Sequence, residues 1–123
     1  MGPKMGPKMG PGGPGPALGL VYMNGCGHCD RLRPVWDETA SKMRGTGLGV
    51  YEIDASTMTP TSSPSNSRWS DVLGLVRDAP TYDGVPFIFF VTADGTLVPF
   101  EGNRDRDSIA RFVLAALTAR PFA

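Results

Sequence analysis

Two cysteines, Cys26 and Cys29, carry most of the reactive chemistry in this chain of 123 residues, and they are its only cysteines. Two such residues separated by two positions, where a strand-like run gives way to a helical pattern, suit a reversible disulfide. Any thiol redox chemistry or thiolate metal binding must therefore use this one pair. The single histidine, His28, lies between the two cysteines.

The helical pattern makes these two cysteines unequal. Buried-face positions at three- and four-residue spacing are Cys29, Leu32, Trp36, Ala40 and Met43. Cys26 falls at the start of the helix, where unpaired amide groups and the positive end of the helix dipole favour a thiolate. We therefore assign Cys26 as the nucleophile and Cys29 as the resolving thiol.

Three apolar runs have the length of β-strands, and they span residues 18–22, 48–53 and 85–91. The strand, helix, strand order of the first two predicts a parallel pair joined by a right-handed crossover. An Asp-Gly pair at residues 94–95 predicts a hairpin that returns residues 96–100 antiparallel to the third run. The sequence therefore predicts a mixed sheet, with residues 85–91 as its central buried strand.

The connections and the other helices follow from local signals. Pro34 lies inside the first helical pattern, so we expect a kink that divides this helix into two angled segments. Residues 57–66 are rich in Thr, Ser and Pro and predict a loop, followed by a short helix capped by Ser67 or Ser70. A closing helix has Asp105, Asp107 or Ser108 as its cap or dipole partner, and its buried stripe is Ile109, Phe112, Val113, Ala116 and Leu117.

The first sixteen residues contain only Met, Gly, Pro and Lys and include a direct repeat of Met-Gly-Pro-Lys. Such a segment buries too little apolar surface to offset the entropy of ordering it. We expect residues 1–16 to be a disordered tail and residues 17–123 to form one folded domain. Whether the tail is a plain solvated extension or a tether that uses Lys4 and Lys8 stays open.

Composition excludes several classes of function. With 41% hydrophobic residues the chain can bury one small core, and its 12 basic and 12 acidic residues give a formal net charge of zero. We therefore expect a monomer that binds neither nucleic acid nor membrane. No run approaches the roughly 20 apolar residues of a membrane span, and no secretory signal is recognisable, so a cytoplasmic location is the default expectation. An oxidising compartment or a virus particle stays open as an alternative.

In element order the chain resembles the thioredoxin superfamily over roughly residues 18–119. The resemblance rests on Cys-Gly-His-Cys at 26–29, a proline five residues later, and Val85-Pro86 at the head of an apolar strand. The Gly27-His28 dipeptide and the segment Phe-Glu-Gly-Asn-Arg-Asp at 100–105 are similar to the protein disulfide isomerase branch. The resemblance implies a trimmed thioredoxin-like α/β fold with a mixed sheet of about four strands flanked by helices.

The same resemblance implies a protein thiol–disulfide oxidoreductase that needs a redox recycling partner and no cofactor or metal. Cys26 would form a mixed disulfide with a protein substrate, Cys29 would resolve it, and His28 would tune the pair towards oxidation or isomerisation. Pro86 corresponds to the cis-proline of the family. Gly27, Val85 and Pro86 would bind substrate, with the backbone of Val85 offered to an extended peptide.

Three positions depart from the family pattern. Gly25 stands where the family has a tryptophan, Leu20 stands where it buries a proton-relay carboxylate, and the family's first strand and helix have no counterpart. A non-catalytic thioredoxin-fold binding module is therefore the alternative function. A zinc site built on Cys26, Cys29 and His28 is a weaker alternative, because structural zinc sites use four ligands.

Overall fold

The computed structural model describes residues 15–64 and 68–118, which alternate between strands and helices. In chain order the elements are β1 (Ala17–Tyr22), α1 (Gly27–Gly45), β2 (Gly49–Asp54), β3 (Thr59–Ser62), α2 (Trp69–Asp78), β4 (Phe87–Val91), β5 (Leu97–Pro99) and α3 (Arg106–Thr118). Within the described residues no helix is long and apolar enough to cross a membrane.

The five strands form one mixed sheet in the order β3-β2-β1-β4-β5. β1 is parallel to β2, as predicted, and antiparallel to β4, while β5 returns antiparallel to β4 after the predicted hairpin. The central position belongs to β1, so the expectation that residues 85–91 form the central strand is wrong. β4 lies one place away, and all five of its residues are buried because helices cover both faces of the sheet.

β3 is an additional strand inside a segment that was predicted to be a loop. It pairs antiparallel with β2 after a turn in which the Asp54 carbonyl accepts from the backbone N–H groups of Thr57 and Met58. β3 lies at the sheet edge, where Pro60 is tolerated because a proline there removes no donor that the sheet needs. The sheet therefore has five strands rather than about four.

The helix boundaries bear on three further expectations. α1 is one continuous helix of 19 residues with Pro34 inside it, and the kink expected at Pro34 stays a prediction. α2 has Arg68 at its N-cap and Ser70 within its first turn, whereas Ser67 lies outside the described residues. At the start of α3 the predicted cap is confirmed, since Asp105 Oδ1 accepts from the backbone N–H of Ser108 at 2.8 Å.

Two apolar clusters lie on opposite faces of the sheet. α1 and α3 cover one face, where Trp36 is fully buried as predicted, together with Ile109 and Val113 of the closing helix. α2 covers the other face and contacts Phe87, Phe89 and Val91 of β4. The buried stripe predicted for α3 is too long at its end, because Leu117 is 47% exposed. Trp69, the first residue of α2, is 41% exposed.

The predicted N-terminal tail falls mainly outside the described residues, which begin at Gly15. Gly15 packs against the end of β4: a Cβ at this position would lie 2.1 Å from the carbonyl oxygen of Thr92. The boundary expected at residue 17 stays a prediction.

Candidate redox site

The two cysteines lie where β1 ends and α1 begins. Residues 23–25 make the connecting turn, in which Gly25 has φ of 84°, a value that side chains disfavour. The backbone N–H of Cys26 donates to the Met23 carbonyl at 3.3 Å, and Cys26 is the N-cap residue of α1. The positive end of the helix dipole therefore faces the Cys26 sulfur.

Cys26 uses its sulfur as the helix cap. Its Sγ accepts a hydrogen bond from the backbone N–H of Cys29 at 3.2 Å. Hydrogen bonds from the Cys29 thiol and from the Cys29 backbone amide hold the pKa of Cys26 below its ordinary value, while the charge of Asp30 opposes them. The Cys26 thiol therefore ionises to the thiolate more readily than an ordinary cysteine.

Cys29 has the opposite environment. It is 7% exposed, on the buried face of α1, and burial raises the pKa of its thiol, with the hydrogen bond to Cys26 adding to the rise. The backbone amide of Met23 acts in the other direction, because a hydrogen bond from it favours the Cys29 thiolate and lowers the pKa. Both cysteines are free thiols here, so the structure shows the dithiol form of the pair.

His28 lies on the exposed side of the first turn of α1. Its Nδ1 is 2.9 Å from Nη2 of Arg31, one turn further along the helix. Arg33, on the next turn of α1, is only partly exposed. Its guanidinium lies 4.9 Å from the centre of the Tyr22 ring and donates to Glu52 Oε1 at 3.1 Å.

Val85 and Pro86 precede β4 and are joined by a cis peptide bond, as the family resemblance implied. Phe87 pairs with Val21 near the carboxyl end of β1, so the cis-proline lies at the same end of the sheet as Cys26. A cavity of about 250 Å³ lies beside Pro86. It is lined by residues 83–87 and 99–101 together with Thr81 and Arg104.

Leu20 and Gly25 occupy the positions that depart from the family. Leu20 is 2% exposed and belongs to the apolar cluster under α1, so its position offers no proton acceptor. Gly25 has no atom within 4 Å of the place where a Cβ would stand, so this side of the turn is open. The exposed side chain of Met23 lies on the same turn.

Glu52 is a residue that the sequence reasoning missed. It pairs in register with Leu20 on the neighbouring strand, and its side chain is only 14% exposed. The carboxylate accepts from Trp36 Nε1 at 2.9 Å, from Arg33 at 3.1 Å and from Arg44 at 3.4 Å. The only sequence signal for this cluster was one acidic residue inside an apolar strand.

Metal ligands do not gather elsewhere in the described part of the chain. Within residues 15–64 and 68–118, no group of three His, Cys, Asp or Glu side chains is placed to hold a metal ion. The chemistry that this site offers is thiol–disulfide exchange by one partly exposed sulfur, whose pKa is lowered, and one buried sulfur.

Curated proteins similar to the chain are mostly protein disulfide isomerases. It is 31% identical over 99 residues to bloodstream-specific protein 2 of Trypanosoma brucei brucei, a match that covers 80% of this chain and 17% of that protein. It is 30% identical over 93 residues to protein disulfide isomerase-like 1-1 of Arabidopsis thaliana, covering 75% and 16%. The chain therefore spans about one sixth of the length of these relatives. No family model matches it.

Solved structures that share its fold include two that overlap most of the chain. The J-Trx1 fragment of ERdj5 superposes with a TM-score of 0.54 at 21% identity, covering 79% of this chain and 40% of that one. The zinc-bound form of human ERp44 superposes with a TM-score of 0.53 at 17% identity, covering 80% of this chain and 24% of that one. These two matches establish the fold, and the sequence relatives point to the branch.

Proposed function

Because the chain belongs to the thioredoxin superfamily, in its protein disulfide isomerase-like branch, we propose that it is a thiol–disulfide oxidoreductase acting on protein substrates. The observation that carries the proposal is the asymmetry of the cysteine pair. Cys26 caps the helix with its sulfur 3.2 Å from the Cys29 amide, whereas Cys29 is buried behind it. Thiol exchange requires one accessible thiolate and one protected thiol held next to it.

In the oxidising direction, the reaction starts from a Cys26–Cys29 disulfide. A substrate thiolate attacks the sulfur of Cys26, the bond between the two cysteines breaks, and Cys29 leaves as a thiolate that takes up a proton. A second substrate thiolate then attacks the substrate sulfur of the mixed disulfide and releases Cys26 as a thiolate. The substrate loses two electrons and the protein gains them, so a disulfide-bearing recycling partner must reoxidise the pair.

In the reducing direction the same steps run backwards, and Cys29 attacks the mixed disulfide held by Cys26. This step needs the proton of Cys29 to be removed, and Leu20 provides no base for it. The Met23 amide stabilises the resulting thiolate, and the proton passes to water. We therefore expect resolution by Cys29 to be slow, and His28 favours oxidation or isomerisation over reduction.

Substrate would bind as an extended peptide across the end of the sheet where Cys26 and Pro86 both lie. In this proposal the backbone of Val85 pairs with the peptide, Gly27 leaves room beside the reactive sulfur, and the cavity next to Pro86 receives a substrate side chain. The open side at Gly25 removes one wall of this groove. In this proposal the exposed side chain of Met23 contacts the substrate at that side instead.

The second candidate is a non-catalytic thioredoxin-fold module that binds a partner in the same groove. Leu20 and Gly25 favour it, since both lack a feature of the catalytic family, a proton acceptor and an aromatic wall respectively. In either case we propose a monomer without cofactor. Disulfide chemistry of this kind suits an oxidising compartment better than the cytoplasmic default that the sequence suggested.

The deciding experiment is the equilibrium of the Cys26–Cys29 pair in glutathione buffers, read by mass after alkylation. We expect an intramolecular disulfide with a potential near about −180 mV, whereas a value near about −270 mV would indicate a reductant. If no intramolecular disulfide forms in any buffer, the oxidoreductase proposal fails and the binding module stands.

Variants at the two cysteines give an independent answer. Cys29→Ser should trap long-lived mixed disulfides through Cys26 from an oxidised mixture of unfolded protein substrates. The double variant Cys26→Ser/Cys29→Ser is the matched control and should trap none. Equal recovery from the two variants would show that the captured protein is held without a disulfide.

A further inference from the structure

Arg31 makes its one described contact with the active-site histidine. Its Nη2 lies 2.9 Å from Nδ1 of His28, and no described carboxylate forms an ion pair with it, although Asp30 is its neighbour in sequence. Both side chains are exposed on the first turn of α1. This guanidinium is therefore placed against the imidazole rather than against an acid.

The chemistry of the two groups fixes the direction of this hydrogen bond. A guanidinium carries donors and no acceptor, and it stays charged, so Nδ1 of His28 must be the acceptor. An imidazole whose Nδ1 accepts is neutral and carries its proton on Nε2. Arg31 thereby selects one of the two neutral tautomers of His28.

We propose that Arg31 is a positioning residue that holds His28 in the Nε2–H tautomer, so that the imidazole offers a hydrogen-bond donor to sulfur at the Cys26–Cys29 pair. Its effect on thiol exchange rests on the proposed oxidoreductase function, whereas its effect on the tautomer does not. The other charged group that faces this turn is Asp30, whose charge acts on both thiols, raising the pKa of each.

The tautomer of His28 affects how easily the Cys26 sulfur leaves a mixed disulfide. When Cys26 leaves a mixed disulfide as a thiolate, a donor at Nε2 stabilises the developing negative charge. With Nδ1 occupied by Arg31, Nε2 is the nitrogen that carries this donor. Without Arg31 both tautomers are populated, and in one of them Nε2 carries a lone pair instead of a donor, so it cannot stabilise a thiolate.

Nitrogen NMR of the reduced protein labelled with 15N at histidine tests the tautomer directly, since His28 is the only histidine in the chain. In alkaline buffer, where the imidazole is neutral, the wild type should show a protonated Nε2 and an unprotonated Nδ1. Arg31→Ala should raise the Nδ1–H fraction at least twofold. Arg31→Lys, which keeps a cationic donor, should restore much of the wild-type pattern.

Arg77→Ala, an exposed arginine at the end of α2, is the matched control and should leave the histidine spectrum unchanged. Identical spectra for the wild type and Arg31→Ala would overturn the proposal. Because this readout requires no substrate, it decides the role of Arg31 even if the protein proves to catalyse nothing.

The exchange rate with a small disulfide-bonded peptide tests the second part of the proposal, the effect of Arg31 on thiol exchange. Arg31→Ala should slow release of Cys26 from the mixed disulfide by about two- to fivefold, the range that an exposed charged contact supplies. In a His28→Ala background, the same substitution should change the rate by less than about 1.5-fold, since its effect runs through the imidazole. An equal loss in both backgrounds would show that Arg31 acts on the thiols directly and would refute the positioning role. A wild type that performs no exchange would refute the oxidoreductase function, while the tautomer result would still stand.

Discussion

Replacing Glu52 separates the two kinds of contact that its carboxylate makes, the hydrogen bond from the buried Trp36 indole and the ion pairs with two arginines of α1. Glu52→Leu removes the acceptor of the Trp36 indole N–H, and Trp36 is fully buried, so its donor would be left without a partner. Glu52→Gln keeps an amide oxygen for the same donor, but it removes the negative charge and turns the second oxygen, which accepts from Arg33, into an NH2 donor. A comparison of the two therefore weighs the buried hydrogen bond against the ion pairs with Arg33 and Arg44.

The structure sets the size of each contribution. A buried donor that loses its partner costs about 1–3 kcal/mol. The arginine side chains are 36% and 44% exposed and can be rehydrated, so each ion pair contributes only about 0.2–1 kcal/mol. Removing a largely buried carboxylate also returns part of its desolvation cost. We therefore expect a loss of about 2–3 kcal/mol for Glu52→Leu and about 1 kcal/mol for Glu52→Gln.

Urea unfolding of the reduced proteins, followed by circular dichroism, measures these differences as shifts in midpoint at constant slope. Asp37→Ala is the control, because Asp37 pairs with the same Arg33 at 3.3 Å but is 59% exposed, and it should cost less than about 0.5 kcal/mol. Equal losses for the Gln and Leu variants would mean that the charge, not the indole acceptor, stabilises the cluster. A loss below about 1 kcal/mol for Glu52→Leu would refute the reasoning altogether.

Two further predictions concern packing and the reactive thiol. Gly19→Ala should cost more than about 2 kcal/mol in urea unfolding, because its Cβ would lie 2.1 Å from Cζ of Phe89, whereas Gly74→Ala in α2, with nothing within 4 Å, should be neutral or stabilising by up to about 1 kcal/mol. Equal effects of the two substitutions would contradict the packing at Phe89. The alkylation rate of Cys26 should reach its plateau at a lower pH than that of Cys29, because the pKa of Cys26 is lowered and that of Cys29 raised, so that Cys26 holds the larger thiolate fraction at neutral pH. Tandem mass spectrometry after timed alkylation reads both sites, and coincident profiles would count against the asymmetry of the pair.

The sequence predicted the elements whose patterns come from burial. β1 and β2 are buried between helices and α1 buries one face, so their apolar patterns were readable, and the Asp-Gly pair predicted the hairpin of β4 and β5. β3 could not be predicted, because this edge strand of Thr, Pro and Ser buries little side-chain surface and has the composition of a loop. The central position of β1 in the strand order could not be predicted from the sequence either. Hydrophobicity reports burial, and both β1 and β4 are buried, whereas strand order depends on which edges pair.

At the site, the two cysteines and the cis-proline were predictable because short motifs carry them. The contacts that set their surroundings were not, since they join residues far apart in the chain or depend on a rotamer. Glu52 meets Trp36 and Arg33 across 16 and 19 positions, and no local pattern signals such a meeting. The contact between Arg31 and His28 spans only three positions, but the same spacing also suits an arginine that extends into solvent.

The pairing of Leu20 with Glu52 bears on how this protein handles the proton of Cys29. The register places a carboxylate at the level of the sheet where Leu20 supplies none, one strand away and on the same face. That carboxylate already accepts hydrogen bonds from two arginines and one indole, so its oxygens are occupied and its charge is balanced. Both carboxylate oxygens are thus engaged by donors of α1 rather than by the Cys29 thiol. Glu52 therefore acts as a structural anchor for α1 and not as a displaced relay. In the proposed reaction, the Met23 amide and water would therefore take the negative charge and the proton of Cys29.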